Sequence, residues 1–247
     1  MKYIIANWKC NPGSAKEAKK LLAGTAKAAR GARGIKVIVC PPFCYLDIAA
    51  AVLKKSAKLG AQNCFWQEGA FTGEVSALQI KDAKCEYAII GHSERRKIFG
   101  ETNELTNKKI KSSLSAGLIP ILCVGETREE RVAGSITQPI ETQIKEGLAD
   151  IPPADAGKVI IAYEPVWAIG TGQACSVLEA NYVRQFINNL LGEAIPVLYG
   201  GSVNADNAIS YMNDAKFNGL LVGGVSLKPV EFSQLLANVS AKPKKHQ

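Results

Sequence analysis

Residues 159–172 read VIIAYEPVWAIGTG. The first five are apolar and rich in β-branched side chains, a run that suits a strand buried on both faces, as in a parallel sheet. The run ends on a carboxylate, Glu164, and Pro165 follows. Proline restrains the residue before it to extended conformations and has no N–H to donate, so Glu164 stands on a stiff support at the C-terminal end of a strand. Val166, Trp167, Ala168 and Ile169 are then apolar where a surface loop would be polar, and Gly170 and Gly172 flank Thr171. Such a segment reads as a lid that excludes water from a ligand and offers glycine N–H groups to an anion. The competing reading is a buried glutamate satisfied by its neighbours, with the loop as part of the core.

Working outward, similar runs lie at about 3–7, 36–40, 59–63, 87–91, 118–124, 195–199 and 219–222. Between them are helical stretches such as 14–30 and 176–191, the second with Ser176 placed as an N-cap ahead of Glu179. Near-continuous apolar strands alternating with helices imply a parallel sheet covered by helices. Eight strands suit a closed barrel, and an open doubly wound sheet is the alternative. The placing of polar and glycine residues separates the two. They cluster just past strand ends, at Asn7, Gln62, His92, Glu126, Glu164, Gly200 and Gly223. A barrel gathers all such ends on one face, where its active sites lie. No GxGxxG follows the first run, against a dinucleotide fold. The fold expected is therefore α/β, a single-domain (β/α)8 barrel over residues 1–240, with a short basic tail at 241–247.

The chain has 247 residues, 47% of them hydrophobic, enough for one large core, and a formal charge of +8. The charge fits an anionic small substrate. Nucleic acid is not expected as a partner, because no interleaved basic and aromatic cluster occurs. Seven cysteines without a CxxC read as reduced thiols packed as small hydrophobes. The opening MKYIIANWK reaches Asn7 and Lys9 after a brief apolar run, so neither a signal peptide nor a membrane span is expected. The location expected is cytoplasmic. With His92 and His246 as the two histidines, no metal site is expected.

Several positions carry chemistry. Strand alternation puts Asn7 and Lys9 on one side, with Trp8 facing away, and makes Lys9 a fixed cation at the barrel mouth. In the run Gly91-His92-Ser93-Glu94-Arg95-Arg96, His92 meets a helix amino terminus, whose dipole disfavours the imidazolium and leaves a neutral N–H donor. Glu94 is placed to pair with Lys9. After the last two strands, Gly200-Gly201-Ser202 and Gly223-Gly224 let backbone N–H groups approach an anion, as the corresponding barrel loops often do.

Taken together, NWK, the QN at 62–63, GAFTGE, GHSERR, CVGE, AYEPVWAIGTG, YGGSV and LVGG occur in the order and spacing of the triosephosphate isomerase family, and the resemblance covers the whole chain. It implies interconversion of dihydroxyacetone phosphate and D-glyceraldehyde 3-phosphate on a (β/α)8 barrel, without cofactor or metal, in a homodimer. It also implies Glu164 as base, His92 as electrophile, and Lys9 and Asn7 at the substrate oxygens, with Glu94 in support. Gly170, Ser202, Gly223 and Gly224 would hold phosphate, and Thr72 would reach the neighbouring subunit near Cys10. The chain departs from the family's common Lys-Thr-Ala after the lid, having Gln173-Ala174-Cys175, and the loop at 64–68 carries Phe65 and Trp66 as an exposed-looking pair. Two rivals stand: another phosphosugar isomerase or epimerase on the same barrel, and a catalytically silent barrel that binds phosphate metabolites.

Overall fold

The computed structural model describes residues 1–169 and 174–240. The apolar runs become β1 (Lys2–Asn7), β2 (Ile35–Cys40), β3 (Lys58–Ala61), β4 (Tyr87–Ile90), β5 (Ile119–Val124), β6 (Ile160–Tyr163), β7 (Val197–Tyr199) and β8 (Gly219–Val222). They close into a barrel in chain order, each strand parallel to its neighbours, with β1 returning to β8 through Tyr3 opposite Gly219 and Ala6 opposite Val222. The open-sheet alternative is thereby excluded.

Alternation along these strands builds the core. Ile5, Ile38, Cys40, Ile89, Ile121, Cys123, Ile160, Ala162, Leu198 and Leu221 pack together inside the barrel. Their neighbours Ile4, Ala6, Val37, Val39, Ile90, Leu122, Ile161 and Val222 face outward, against helix residues such as Leu22, Ile110, Ile144, Ile187 and Leu235. Both faces are buried, which is why these strands read as unbroken apolar runs.

The same parity decides what reaches the mouth. Two residues beyond Ile5 comes Asn7, beyond Ala162 comes Glu164, beyond Leu198 comes Gly200, and beyond Leu221 comes Gly223. Helices begin where the sequence supplies caps: Ser14 accepts from Glu17 N at 3.3 Å ahead of Ala15–Gly31, and Ser176 accepts from Glu179 N at 3.2 Å ahead of Val177–Leu191.

Some boundaries differ from the sequence reading. β3 stops at Ala61, so Gln62 and Asn63 lie past it, and Gln62 donates to the carbonyls of Lys9 and Cys40. Phe65 is buried and Trp66 half-buried rather than an exposed pair, because Phe65 stacks on Trp66 with centroids 3.9 Å apart and also meets Phe71. All seven cysteines are free; Cys10 and Cys44 are exposed and the other five buried. Among the described residues no helix is long and apolar enough to cross a membrane. The basic tail at 241–247 lies outside the described residues.

Candidate active site

Asn7 ends β1 as a buried amide whose Oδ1 accepts from Lys9 N at 3.0 Å. Lys9 then takes a left-handed φ of 51°, a conformation that costs a non-glycine residue energy and is characteristic of functional sites. Strand alternation alone does not place Lys9; this turn does. Its ammonium pairs with the Glu94 carboxylate, as the sequence anticipated, both groups being partly exposed. Trp8 is fully buried on the opposite side.

His92 reaches the mouth against strand parity. Gly91 turns the chain with φ 71°, and a Cβ there would stand 2.8 Å from the Arg96 guanidinium. Arg96 pins the turn by donating to Gly91 O at 2.8 Å. His92 then caps Ser93–Phe99, its Nδ1 accepting from Glu94 N at 3.2 Å. An acceptor at Nδ1 requires a lone pair there, so this hydrogen bond leaves Nε2 as the ring's donor position. That Nε2 faces Glu164 Oε1 at 3.1 Å.

Glu164 is 2% exposed, and its second oxygen accepts from Ser93 N at 3.0 Å. A buried carboxylate is tolerable because both oxygens have donors. The space it needs comes from two glycines. A Cβ at Gly200 would lie 3.0 Å from Glu164 Cγ, and one at Gly125 would lie 1.7 Å from Glu164 O.

Asn7, Lys9, His92 and Glu164 line one cavity of about 290 Å³ together with Gly200 to Ser202, Gly223 and Gly224. The volume lies near the small end of ligand pockets. Ser202 Oγ donates to Ala168 O at 2.7 Å, so this part of the lining is tied to the segment after Glu164. Gly170 lies outside the described residues, as does Gln173. Among the described residues no group of three or more His, Cys, Asp or Glu could hold a metal ion. Cys10 and Thr72 are both exposed, Thr72 on the loop between β3 and the Ala77–Asp82 helix.

The segment after Glu164 rests on residues to which the sequence reading gave no role. Glu126, fully buried, accepts from Trp167 Nε1 at 2.8 Å, Tyr163 OH at 3.2 Å and Arg131 Nη1 at 3.1 Å, all on one oxygen. Burial pushes its carboxyl above the usual range, against these donors. Behind His92, Glu101 accepts from Gly91 N at 3.0 Å and pairs with Arg95 and Lys109. Ser93, Arg96 and Glu126 sit inside runs quoted for the resemblance, so the motifs were the signal for them; Glu101 and Lys109 had none.

Comparison with known proteins reaches the same place. A family model described as triosephosphate isomerase matches residues 2–239. Among curated relatives named triosephosphate isomerase, that of Dictyoglomus thermophilum is 46% identical, covering 94% of this chain and 96% of the relative. That of Aquifex aeolicus is also 46% identical, over 94% and 97%, and one from Dehalococcoides mccartyi is 45% identical over 98% of both. A match running from the first strand to the last helix, over a barrel that presents a buried glutamate to a histidine, means that this chain belongs to the triosephosphate isomerase family.

Proposed function

We propose that the chain interconverts dihydroxyacetone phosphate and D-glyceraldehyde 3-phosphate, moving a proton between neighbouring carbons through an enediolate. The observation that carries this reading is the pairing of Glu164 with the Nε2–H of His92 in a cavity shared with the Lys9 ammonium. With substrate present, the Glu164 carboxylate takes a proton from the carbon beside the carbonyl. The C–H electron pair becomes the C=C bond, and the carbonyl π pair moves onto oxygen. That oxyanion meets His92 Nε2–H and the Lys9 ammonium, preset groups aimed where charge develops, with the Asn7 amide at a substrate oxygen. Glu94 holds Lys9 in place. The hydroxyl proton of the first carbon's oxygen passes to the former carbonyl oxygen, with the His92 ring placed to relay it, and return of the Glu164-held proton to the other carbon completes the isomerisation, with no cofactor or metal entering it.

The phosphate goes to the part of the cavity lined by Ser202 and the N–H groups of Gly223 and Gly224, with Gly170 as a further donor. This is the triose-phosphate step of glycolysis and gluconeogenesis, and we place it in the cytoplasm.

The working form is a homodimer. Cys10 lies beside a groove of about 300 Å³ lined by Phe43, Gln62, Glu94 and Phe99, and Ile98 and Phe99 are each 67% exposed. The loop at 64–74, with Thr72 exposed, is the piece of a second copy that fits over it.

A coupled assay of either triose phosphate, run with and without chelator, tests the function. Activity unaffected by chelator is expected. Loss of activity with chelator would favour a metal-dependent phosphosugar enzyme, and complete silence would favour a binding barrel.

A further inference from the structure

Arg131 has contacts that the reaction as described does not use. It lies in the Arg128–Val132 helix, which Thr127 opens as a capping box with Glu130. One arm, Nη1, donates to Glu126 Oε1 at 3.1 Å, the oxygen that also receives Trp167 Nε1. The other arm, Nη2, pairs with Glu179 Oε1. The flat guanidinium also lies over the Trp167 ring, 4.5 Å from its centroid, a cation–π contact. Glu179 in turn accepts from Ser176 Oγ at 2.7 Å, and Ser176 caps the Val177–Leu191 helix.

These contacts sit at the two ends of one stretch of chain. Trp167 lies three residues after Glu164 and belongs to the 3-10 turn Val166–Ala168, while Ser176 and Glu179 begin the helix where that stretch returns to the barrel. No hydrogen bond joins Trp167 to Glu179 among the described residues. A lysine has a single point charge; a guanidinium can give one arm to each end while its face stacks on the indole.

We propose that Arg131 is a positioning residue that couples the turn Val166–Ala168, just after Glu164, to the Ser176 cap of the Val177–Leu191 helix, so that the two hold a fixed separation. Fixing that separation restrains the turn that directly follows Glu164, and the benefit falls on the reacting geometry next to it. The proposal rests on the isomerase reading of the cavity. A plain ion pair half open to solvent would do less: Glu179 is 47% exposed at its side chain, and such pairs contribute little to stability. The claim therefore concerns activity rather than fold.

A kinetic double-mutant cycle on isomerisation tests it. Trp167→Phe removes the indole N–H, and Glu179→Gln removes the carboxylate charge while keeping an acceptor for Ser176. Each single variant should lower kcat about tenfold, and so should Arg131→Lys, since a misplacement of about 1 Å can cost up to a hundredfold. The double variant Trp167→Phe with Glu179→Gln should also be down about tenfold, because either change alone opens the link. Denaturant midpoints should stay close to wild type throughout. A double variant reduced by the product of the singles, about a hundredfold, overturns the coupling, as does a Glu179→Gln rate within twofold of wild type. The wild-type rate is the separate check on the isomerase reading. Should it be nil, the same cycle read on the dissociation constant for inorganic phosphate decides the link, with the same non-multiplying pattern expected and a multiplying one overturning it.

Discussion

Glu101 and Glu126 are both buried just behind the mouth, and the surroundings give them opposite characters. At Glu101, burial pushes the carboxyl up, but Lys109 and Arg95 outweigh it and hold the group below its ordinary range. Each of its oxygens has a donor, and Lys109 also donates to Asn63 Oδ1 at 2.9 Å, so the network is closed. At Glu126, burial prevails and the carboxyl is raised, although Trp167, Tyr163 and Arg131 all give to Oε1. Its Oε2 is buried with no hydrogen-bond partner among the described residues. The lesson is that cations around a buried carboxylate, more than the number of its hydrogen bonds, decide whether it anchors as an ion. The first network fixes the Gly91–His92 turn. The second holds the chain that follows Glu164.

The largest effect should come from opening the closed network. Glu101→Ala strands Lys109 and Arg95, which are 4% and 29% exposed at their side chains, and should cost about 3–5 kcal/mol of stability in denaturant unfolding. A loss under about 1 kcal/mol would erase the contrast between the two networks. Next comes the residue that lies between the two regions: Glu164→Asp should lower kcat by about a hundredfold or more, with KM little changed and unfolding unaltered, as for a base withdrawn by about 1 Å. Retention of kcat would remove Glu164 from its role.

Glu126→Gln should have the smallest effect, changing stability by less than about 1 kcal/mol, because burial already disfavours the charge it removes. Its signature is the pH dependence. A depressed carboxyl such as Glu101 contributes stability that is fully present above the unfolded-chain value of about 4.3 and is lost as pH falls through its folded value. A raised one such as Glu126 works in reverse, its contribution present below about 4.3 and declining as pH rises towards its folded value. Unfolding free energy followed across the acid range should therefore rise more steeply with pH in Glu126→Gln than in wild type. Parallel curves would show that the two glutamates are not distinguished by charge.

Much of this was legible in the chain. Eight apolar runs stand for eight strands, and two-residue parity carries Asn7, Glu164, Gly200 and Gly223 to the mouth without further information. His92 and Lys9 follow from motif rather than from parity, since each depends on a left-handed turn, at Gly91 and at Lys9 itself, that alternation does not encode. Lys109 was illegible because a lysine on the polar-looking helix Asn103–Ser115 reads as solvated until the partner Glu101 is seen beneath it. Glu126 and Arg131 are five residues apart, but Glu179 comes from the helix after the next strand, and the pairing of β5 with β6 is what brings it to them. The neighbour expected at Cys10 and Thr72 belongs to a second chain, so a single sequence names the surfaces without joining them.

The near-contact of Gly125 with Glu164 has a kinematic consequence. A Cβ at Gly125 would lie 1.7 Å from Glu164 O, and Glu164 N donates to Val124 O at 2.7 Å, so the main chain at the base is clamped to the neighbouring strand. Translation of that backbone would require β5 to travel with it. On the proposed mechanism, the stroke that delivers a proton from one carbon to the next is then a rotation about the bonds of the Glu164 side chain, beside the clearance that Gly200 leaves at Cγ. In that proposed role Glu164 is a lever turning on a fixed axle, and the barrel is the frame that keeps the axle still.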